Sequence, residues 1–186
     1  MAIVVLFLFS ACAGNKKPKG QAITQRDSLP GIATTDVETL ISDSGRIAYK
    51  IVTPEWDIFD RKNPPRWAFE KGVYLEKYND LMQVTATIKS DTAYYFEDTK
   101  TWELKGNVRI QNEKGEIFTT SQLFWDQRQE RVYSSRFIRI ENGDNVATGV
   151  GFTANQNFTE WEIYNNNAIF TVNENDSVKP AKKDSI

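Results

Sequence analysis

Residues 102–110 read Trp-Glu-Leu-Lys-Gly-Asn-Val-Arg-Ile, a segment in which apolar and polar side chains alternate. The large apolar residues all occupy even positions, namely Trp102, Leu104, Val108 and Ile110. A period of two is typical of a β-strand that has one face in a core and the other in water. The segment therefore predicts a strand with one wet face.

The same pattern returns at a nearly constant spacing along the chain. Val132 follows Trp102 by thirty positions, and Trp161 follows Val132 by twenty-nine. An earlier partial copy, residues 67–75, matches residues 102–110 at an offset of thirty-five. Repetition at a period between about 20 and 50 residues is typical of stacked units rather than of a wound globule. We therefore predict an array of similar strands.

Polar turns separate the alternating segments. Asn142-Gly143 stands between two of them, and Asn-Gly in that position is the strongest local signal for a β-hairpin. Gly149 and Gly151 fall inside a predicted strand, where glycine indicates a β-bulge or the close approach of another backbone. The sequence thus predicts an all-β protein built from antiparallel strands.

One short helix is predicted before the first strand. Residues 35–38, Thr-Asp-Val-Glu, match the capping box that begins many helices. Val37, Leu40 and Ile41 would share one helical face, and Gly45 would end the helix.

Composition excludes several classes of function. The 186 residues include 23 Lys and Arg against 25 Asp and Glu, so no net field would recruit nucleic acid. The chain has one cysteine and no histidine, which excludes an intrachain disulfide and any site that needs imidazole. The carboxylates show no spacing typical of a catalytic pair. We predict no enzyme, no metal site and no cofactor, with a carboxylate hydrolase as an open alternative.

The two ends of the sequence differ from its middle. Residues 1–12 have the apolar run of a signal peptide, too short for the roughly 20 residues of a membrane-spanning helix, and small residues precede Cys12 as in a bacterial lipobox. We predict that Cys12 is lipidated; the alternative is a buried free cysteine. Residues 13–34 predict a flexible tether with a reach of about 25 Å, and residues 173–186 predict a disordered tail.

Six segments stand in a specific order and spacing: Ile41-Ser-Asp-Ser-Gly45, Trp67 to Asp80, Ser90-Asp-Thr-Ala-Tyr-Tyr95, Trp102-Glu-Leu-Lys-Gly-Asn-Val108, Gly115-Glu-Ile-Phe-Thr-Thr-Ser-Gln-Leu-Phe-Trp-Asp126 and Gly149-Val-Gly-Phe152. Together they resemble the LptC family of lipopolysaccharide-export proteins, in its lipoprotein-type Bacteroidetes branch. The resemblance covers about residues 39–171.

The resemblance implies an open β-jellyroll of stacked antiparallel, V-shaped strands, shared with LptA, over residues 35–172. In that family the opening of the jellyroll carries the acyl chains of lipopolysaccharide. The protein would stand in the periplasm, anchored to a membrane, with the inner membrane favoured. Its partners would be the inner-membrane ABC exporter, an LptA-like periplasmic bridge protein and the membrane, through the lipid anchor.

We predict that the alternating apolar face lines the lipid slot: Phe69, Val73, Leu75, Val84, Ala86, Tyr95, Trp102, Leu104, Val108, Ile110, Leu123, Trp125, Ile138, Ile140, Val150 and Phe152. An unclosed jellyroll leaves an unpaired strand at each end, which either aggregates or pairs with a partner. We assign these edges to Ile47, Tyr49 and Ile51 and to Ala168, Phe170 and Val172. The alternative function is a lipid- or glycan-binding lipoprotein without an exporter partner.

Overall fold

The computed structural model describes residues 28–169, and Cys12, Phe170, Val172 and the predicted tail lie outside this range. All regular elements over this range are β-strands in one antiparallel sheet of 11 strands, which confirms the predicted all-β jellyroll. The strands are β1 (Ile32–Asp43), β2 (Arg46–Phe59), β3 (Arg66–Phe69), β4 (Val73–Tyr78), β5 (Val84–Ser90), β6 (Thr92–Phe96), β7 (Thr101–Asn112), β8 (Ile117–Asp126), β9 (Arg131–Asn142), β10 (Asn145–Asn155) and β11 (Trp161–Ile169).

Two pairs of short strands, β3 with β4 and β5 with β6, each behave as one long strand that bends in the middle. One part of β2 pairs with β4 and a later part pairs with β3, while β7 pairs first with β6 and then with β5. The described chain is therefore a stack of long, bent strands in sequence order. The first leg of the bent sheet contains β4, β5 and the strand halves aligned with them, and the second leg contains β3, β6 and their aligned halves.

The bend follows a line of irregular backbone across the sheet. Pairing shifts at this line in β7, β8 and β10, where bulges interrupt the ladder. The line also carries residues with positive φ: Asp36, Gly72, Gly106, Asn107 and Gly151. Because each strand turns at the same place, the two legs face each other and enclose one core.

The thirty-residue repeat corresponds to one hairpin of this stack. Strands β7 and β9 are both 12 residues long. Their first residues, Thr101 and Arg131, are separated by the repeat length, and Trp161 begins β11 one further repeat along the chain. Lys100 and Glu130, the residues before β7 and β9, have positive φ values of 57° and 50°. The repeat predicted from the sequence is confirmed in both strand length and turn conformation.

The predicted helix at residues 35–45 is wrong, because this segment is most of strand β1. Val37 and Ile41 are half-buried with a period of two, whereas Leu40, which was to share their helical face, is exposed. The segment is rich in β-branched residues that suit a pleated strand. Asp36, with φ 52°, falls opposite Pro54, which has no N–H to pair. Pairing along β2 therefore outweighs the local helical signal.

One boundary also differs from the sequence prediction. Strand β1 begins at Ile32, so residues 32–34 belong to the sheet and not to the tether.

The prediction for Gly149 and Gly151 is confirmed: the ladder shifts between Val150 and Phe152, and a Cβ on Gly149 would lie 2.2 Å from the carbonyl oxygen of Asn165.

We expect Gly149→Ala to destabilise the protein. Alanine normally gains up to about 1 kcal/mol over glycine by restricting the unfolded chain. Here the methyl group would also meet Ile163 Cγ2 at 2.3 Å. Overpacking of this kind costs about 1–3 kcal/mol and outweighs the gain. Denaturant unfolding measures the loss, with the exposed Val150→Thr as control at about 0.5 kcal/mol or less. An unchanged free energy of unfolding for Gly149→Ala would contradict the close approach.

Candidate functional site

The candidate site is a cleft of about 980 Å³ between the two legs, near the turns that follow β1, β4, β6 and β8. Its volume lies within the range of small-molecule sites. Its floor is largely aromatic and aliphatic: Tyr49, Ile51, Trp67, Leu75, Tyr95, Trp102 and Trp125. Its rim carries both signs of charge: Arg46, Lys77, Lys100, Arg128, Asp43, Asp80, Glu97 and Glu130.

The aromatic residues of the floor form a continuous set of ring contacts. The Trp67 ring lies 4.9 Å from that of Tyr95, which in turn lies 4.9 Å from that of Trp102. Across the cleft, the Tyr49 ring meets Trp125 edge-on at 5.4 Å. Such tilted and edge-on arrangements favour aromatic packing beyond simple area burial. The floor is therefore apolar, its rings are closely packed, and the cleft leaves room for hydrocarbon beside them.

The legs are joined beside the cleft by the turn after β10, whose residue Gln156 lines the cleft. The turn after β10 inserts Phe158, which is 1% exposed, against Phe118 at a ring distance of 5.3 Å. Asn112 Nδ2 donates hydrogen bonds to the Phe158 carbonyl at 2.8 Å and to the Glu116 carboxylate at 2.7 Å. Asn142 Nδ2 donates to the other Glu116 oxygen. The legs are thus closed by packing at this turn, next to the cleft.

At the rim of the cleft, Lys77 extends from the first leg to the turn after β10. Its ammonium group donates to Asn157 Oδ1 at 2.5 Å and to the Gln156 carbonyl at 3.3 Å. Burial lowers the pKa of Lys77 to about 8, partly offset by the negative charge of Glu130. Burial also raises the pKa of the neighbouring Tyr49 phenol to about 12. Both groups are therefore hydrogen-bond donors at neutral pH.

The structure divides the predicted slot residues into three groups. Leu75, Tyr95, Trp102 and Trp125 line the cleft. Ten others are buried in the core behind it: Phe69, Val73, Ala86, Leu104, Val108, Ile110, Leu123, Ile138, Ile140 and Phe152. Val84 and Val150 are exposed, and for Val150 the placement on the inner face is wrong.

Val84 and Val150 are 44% and 49% exposed, for two different reasons. Val84 is the first residue of β5, beside the exposed turn residues Leu81 and Met82, and is only partly covered. Val150 precedes the bulge at Gly151, where φ is 81°, and the extra residue reverses which positions face inward. Even-numbered residues face the core only after that bulge.

The assignment of the first edge to Ile47, Tyr49 and Ile51 is also wrong. These residues lie on β2, which pairs with β1 on one side and with β4 on the other. Within residues 28–169, the strands with only one neighbour are β1 and β11, and β11 includes the predicted edge residue Ala168.

Sequence reasoning missed Lys77 and placed Tyr49 in the wrong role. A signal for Lys77 exists in the alternation itself, because Val73, Leu75 and Lys77 occupy successive inward positions of β4. Lysine at an inward position is unusual, because its ammonium group is almost never fully buried unless it is paired. The register that sets Tyr49 directly opposite Lys77 is a long-range property that no local pattern reveals.

We expect the free energy of unfolding to rise with pH between about 8 and 10.5, and the rise to disappear in Lys77→Met. Below pH 8 the amine is protonated in both states, so the stability cost of its burial is fully present. Between the folded pKa of about 8 and the ordinary value of 10.5, the unfolded chain binds more protons, so stability increases with pH. Denaturant unfolding from pH 7 to 10.5 measures the difference between wild type and Lys77→Met.

The control for this measurement is Lys89→Met on the exposed side of β5. This variant should keep the rise seen in the wild type. Parallel pH curves for wild type and Lys77→Met would contradict the burial of a charged amine.

Comparison with known proteins identifies the family. The family model described as lipopolysaccharide-assembly, LptC-related, matches residues 1–169. A search of the curated proteins finds no match. Over the range that the structure describes, no helix is long and apolar enough to cross a membrane, and no cluster of acidic or cysteine side chains could hold a metal ion. The jellyroll, its apolar cleft and the match over most of the chain agree: the protein belongs to the LptC-related lipopolysaccharide-assembly family, whose members are periplasmic lipopolysaccharide-transport components associated with the inner membrane.

Proposed function

We propose that this protein receives lipopolysaccharide from an inner-membrane exporter and passes it to a periplasmic bridge protein, holding acyl chains in the cleft between its legs. It acts by binding, with no chemical step. The observation that carries the proposal is the cleft itself, an apolar floor under a rim of mixed charge. Such a site removes hydrocarbon from water, at roughly 25 cal/mol per Å² buried, while polar sugars stay hydrated at the rim.

The packed part of the interior limits where the cargo lies. Phe118, Ile138 and Phe152 are fully buried and fill the space between the legs beyond the cleft. Displacing close-packed side chains of this size costs several kcal/mol. In this conformation acyl chains therefore occupy the space beside Tyr49, Trp102 and Trp125. This placement replaces the wider slot predicted from the alternating sequence.

The two edge strands support a directional transfer. Each has one neighbour within the described chain, which leaves its other side free to extend the sheet into a partner. We propose that β1, which follows the predicted tether and its lipidated Cys12, meets the exporter. Strand β11 then pairs with the bridge protein. Both contacts continue the cleft into the next protein.

The alternative is a lipid- or glycan-binding lipoprotein without an exporter partner. It shares the cleft and the anchor with the main proposal. Association through the edges of the sheet separates the two.

We expect a photo-crosslinking amino acid at Tyr49 to label bound lipopolysaccharide. Tyr49 lies at the mouth of the cleft and is half-buried, so an aromatic crosslinker fits without disturbing the packed core. Tyr133, an exposed residue of the same type on the outer face of β9, is the matched control. Crosslinks are read as lipopolysaccharide-positive bands after irradiation in cells. Labelling at Tyr133 without labelling at Tyr49 would refute the cleft as the binding site.

A second crosslinking experiment tests the edges. A crosslinker at Leu40, which is 53% exposed on β1, should capture the exporter, and one at Tyr164, 53% exposed on β11, should capture the bridge protein. Phe137 on β9 is exposed but has paired strands on both sides, so it should capture neither. Mass spectrometry of the crosslinked species identifies the partners. Lipopolysaccharide labelling at Tyr49 with no protein captured at either edge would favour the alternative function.

A further inference from the structure

Three hydrogen-bond donors converge at the rim of the cleft. Tyr49 and Lys77 are directly paired residues of β2 and β4, so their side chains share one face of the first leg. Trp125 lies on the second leg, with its ring 5.4 Å from that of Tyr49 and 5.9 Å from the Lys77 amine. All three side chains line the same cleft. One compact group of donors therefore lies where the apolar floor meets the rim, and we call it the donor cluster.

The charge of Lys77 has no direct counterion in the described part of the chain. None of the carboxylates in residues 28–169 lies within 4.0 Å of its amine. The amine donates to two neutral acceptors, Asn157 Oδ1 and the Gln156 carbonyl, and an ammonium group has three donors. A half-buried cation without a counterion is costly, and an apolar side chain of similar length would join the legs without that cost.

Trp125 has an unused donor beside this cation. Its indole Nε1 is buried and has no acceptor among residues 28–169. Buried polar groups are nearly always paired, and an exception calls for an explanation. A ligand oxygen in the cleft would supply the missing acceptor for the indole and the missing negative charge for Lys77 at once.

We propose that the donor cluster of Tyr49, Lys77 and Trp125 binds a phosphate group on the headgroup of the lipid that occupies the cleft. A phosphate offers several strong acceptor oxygens and a negative charge, which match a phenol, an indole and an ammonium arranged around one point. The inference rests on the proposed function, because it assigns the chemical class of the same ligand. The depressed pKa of Lys77 agrees with it, since an amine that lacks a counterion in the free protein is the one that a ligand anion stabilises.

The test compares two forms of one lipid. Full-length protein is titrated with bisphosphorylated lipid A and with the same lipid A after phosphatase treatment, and tryptophan fluorescence reports the affinity. We expect the wild type to bind the phosphorylated form at least tenfold more tightly, because charge-assisted hydrogen bonds are the strong ones and tenfold is about 1.4 kcal/mol. Lys77→Met should bind both forms with the affinity that the wild type shows for the treated lipid. Lys77→Arg should keep the preference, and Lys89→Met should behave as the wild type.

Each outcome separates this inference from the proposed function. Equal wild-type affinity for the two forms would overturn the phosphate site and leave the lipid cleft intact. Absence of binding to either form would overturn the proposed function. Release of phosphorylated lipid A by millimolar inorganic phosphate, with no effect on treated lipid, supports the site. Tighter binding of myristic acid than of phosphorylated lipid A, lost in Lys77→Met, would reassign the donor cluster to a carboxylate and overturn the proposal. Circular dichroism of Lys77→Met, compared with Lys77→Arg, ensures that a lost preference reflects the site and not unfolding.

Discussion

The fold depends on satisfying the backbone where every strand bends. A bulge takes carbonyl groups out of the regular ladder, and a buried carbonyl without a donor is costly. At the bend, buried hydroxyl groups supply the donors: Thr53 to Gly72, Ser90 to Thr92, Thr120 to Phe137 and Ser134 to Gln122. Each of these hydroxyl groups comes from a different strand, so together they form a line along the bend. Without them the sheet would lose either its bend or its buried hydrogen bonds.

The bend in turn determines what the interior can hold. Asp91 fixes the bend between β5 and β6 against β7. Its carboxylate accepts a hydrogen bond from Asn107 Nδ2 at 2.7 Å, and its backbone N–H donates to the Gly106 carbonyl at 3.0 Å. A Cβ on Gly106 would lie 2.5 Å from that carboxylate, and φ there is 73°, so this position requires glycine. Bends fixed in this way hold the legs at a set angle. The cleft is then the space that the legs enclose where no side chain fills it.

Local patterns in the sequence predicted what is local or repeated. The alternation in residues 102–110 and its return thirty residues later located β7, β9 and the start of β11, because strand period and hairpin length are properties of a short segment. The errors lie where distant residues decide. Residues 35–38 match a helix capping box but form a strand because they pair with β2. Val150 faces outward because of the bulge at Gly151. The edge was misplaced because nothing in Ile47 or Ile51 states that two other strands pair with β2.

The candidate site follows the same division. The aromatic residues of its floor were predictable from alternation, but the division of the apolar residues between cleft and core was not. That division depends on how far Phe158 enters from the turn after β10. Lys77 combines both kinds of information. Its inward position can be predicted from the alternation along β4. Its place in a cluster of donors depends on Tyr49 across the ladder and Trp125 across the cleft, which no local pattern reveals. Phe158 closes the legs by packing, and beside it Lys77, a half-buried cation without a counterion within residues 28–169, joins β4 to the same turn. That unmatched charge lies at the rim of the cleft, at the position that we propose for the phosphate group of the lipid.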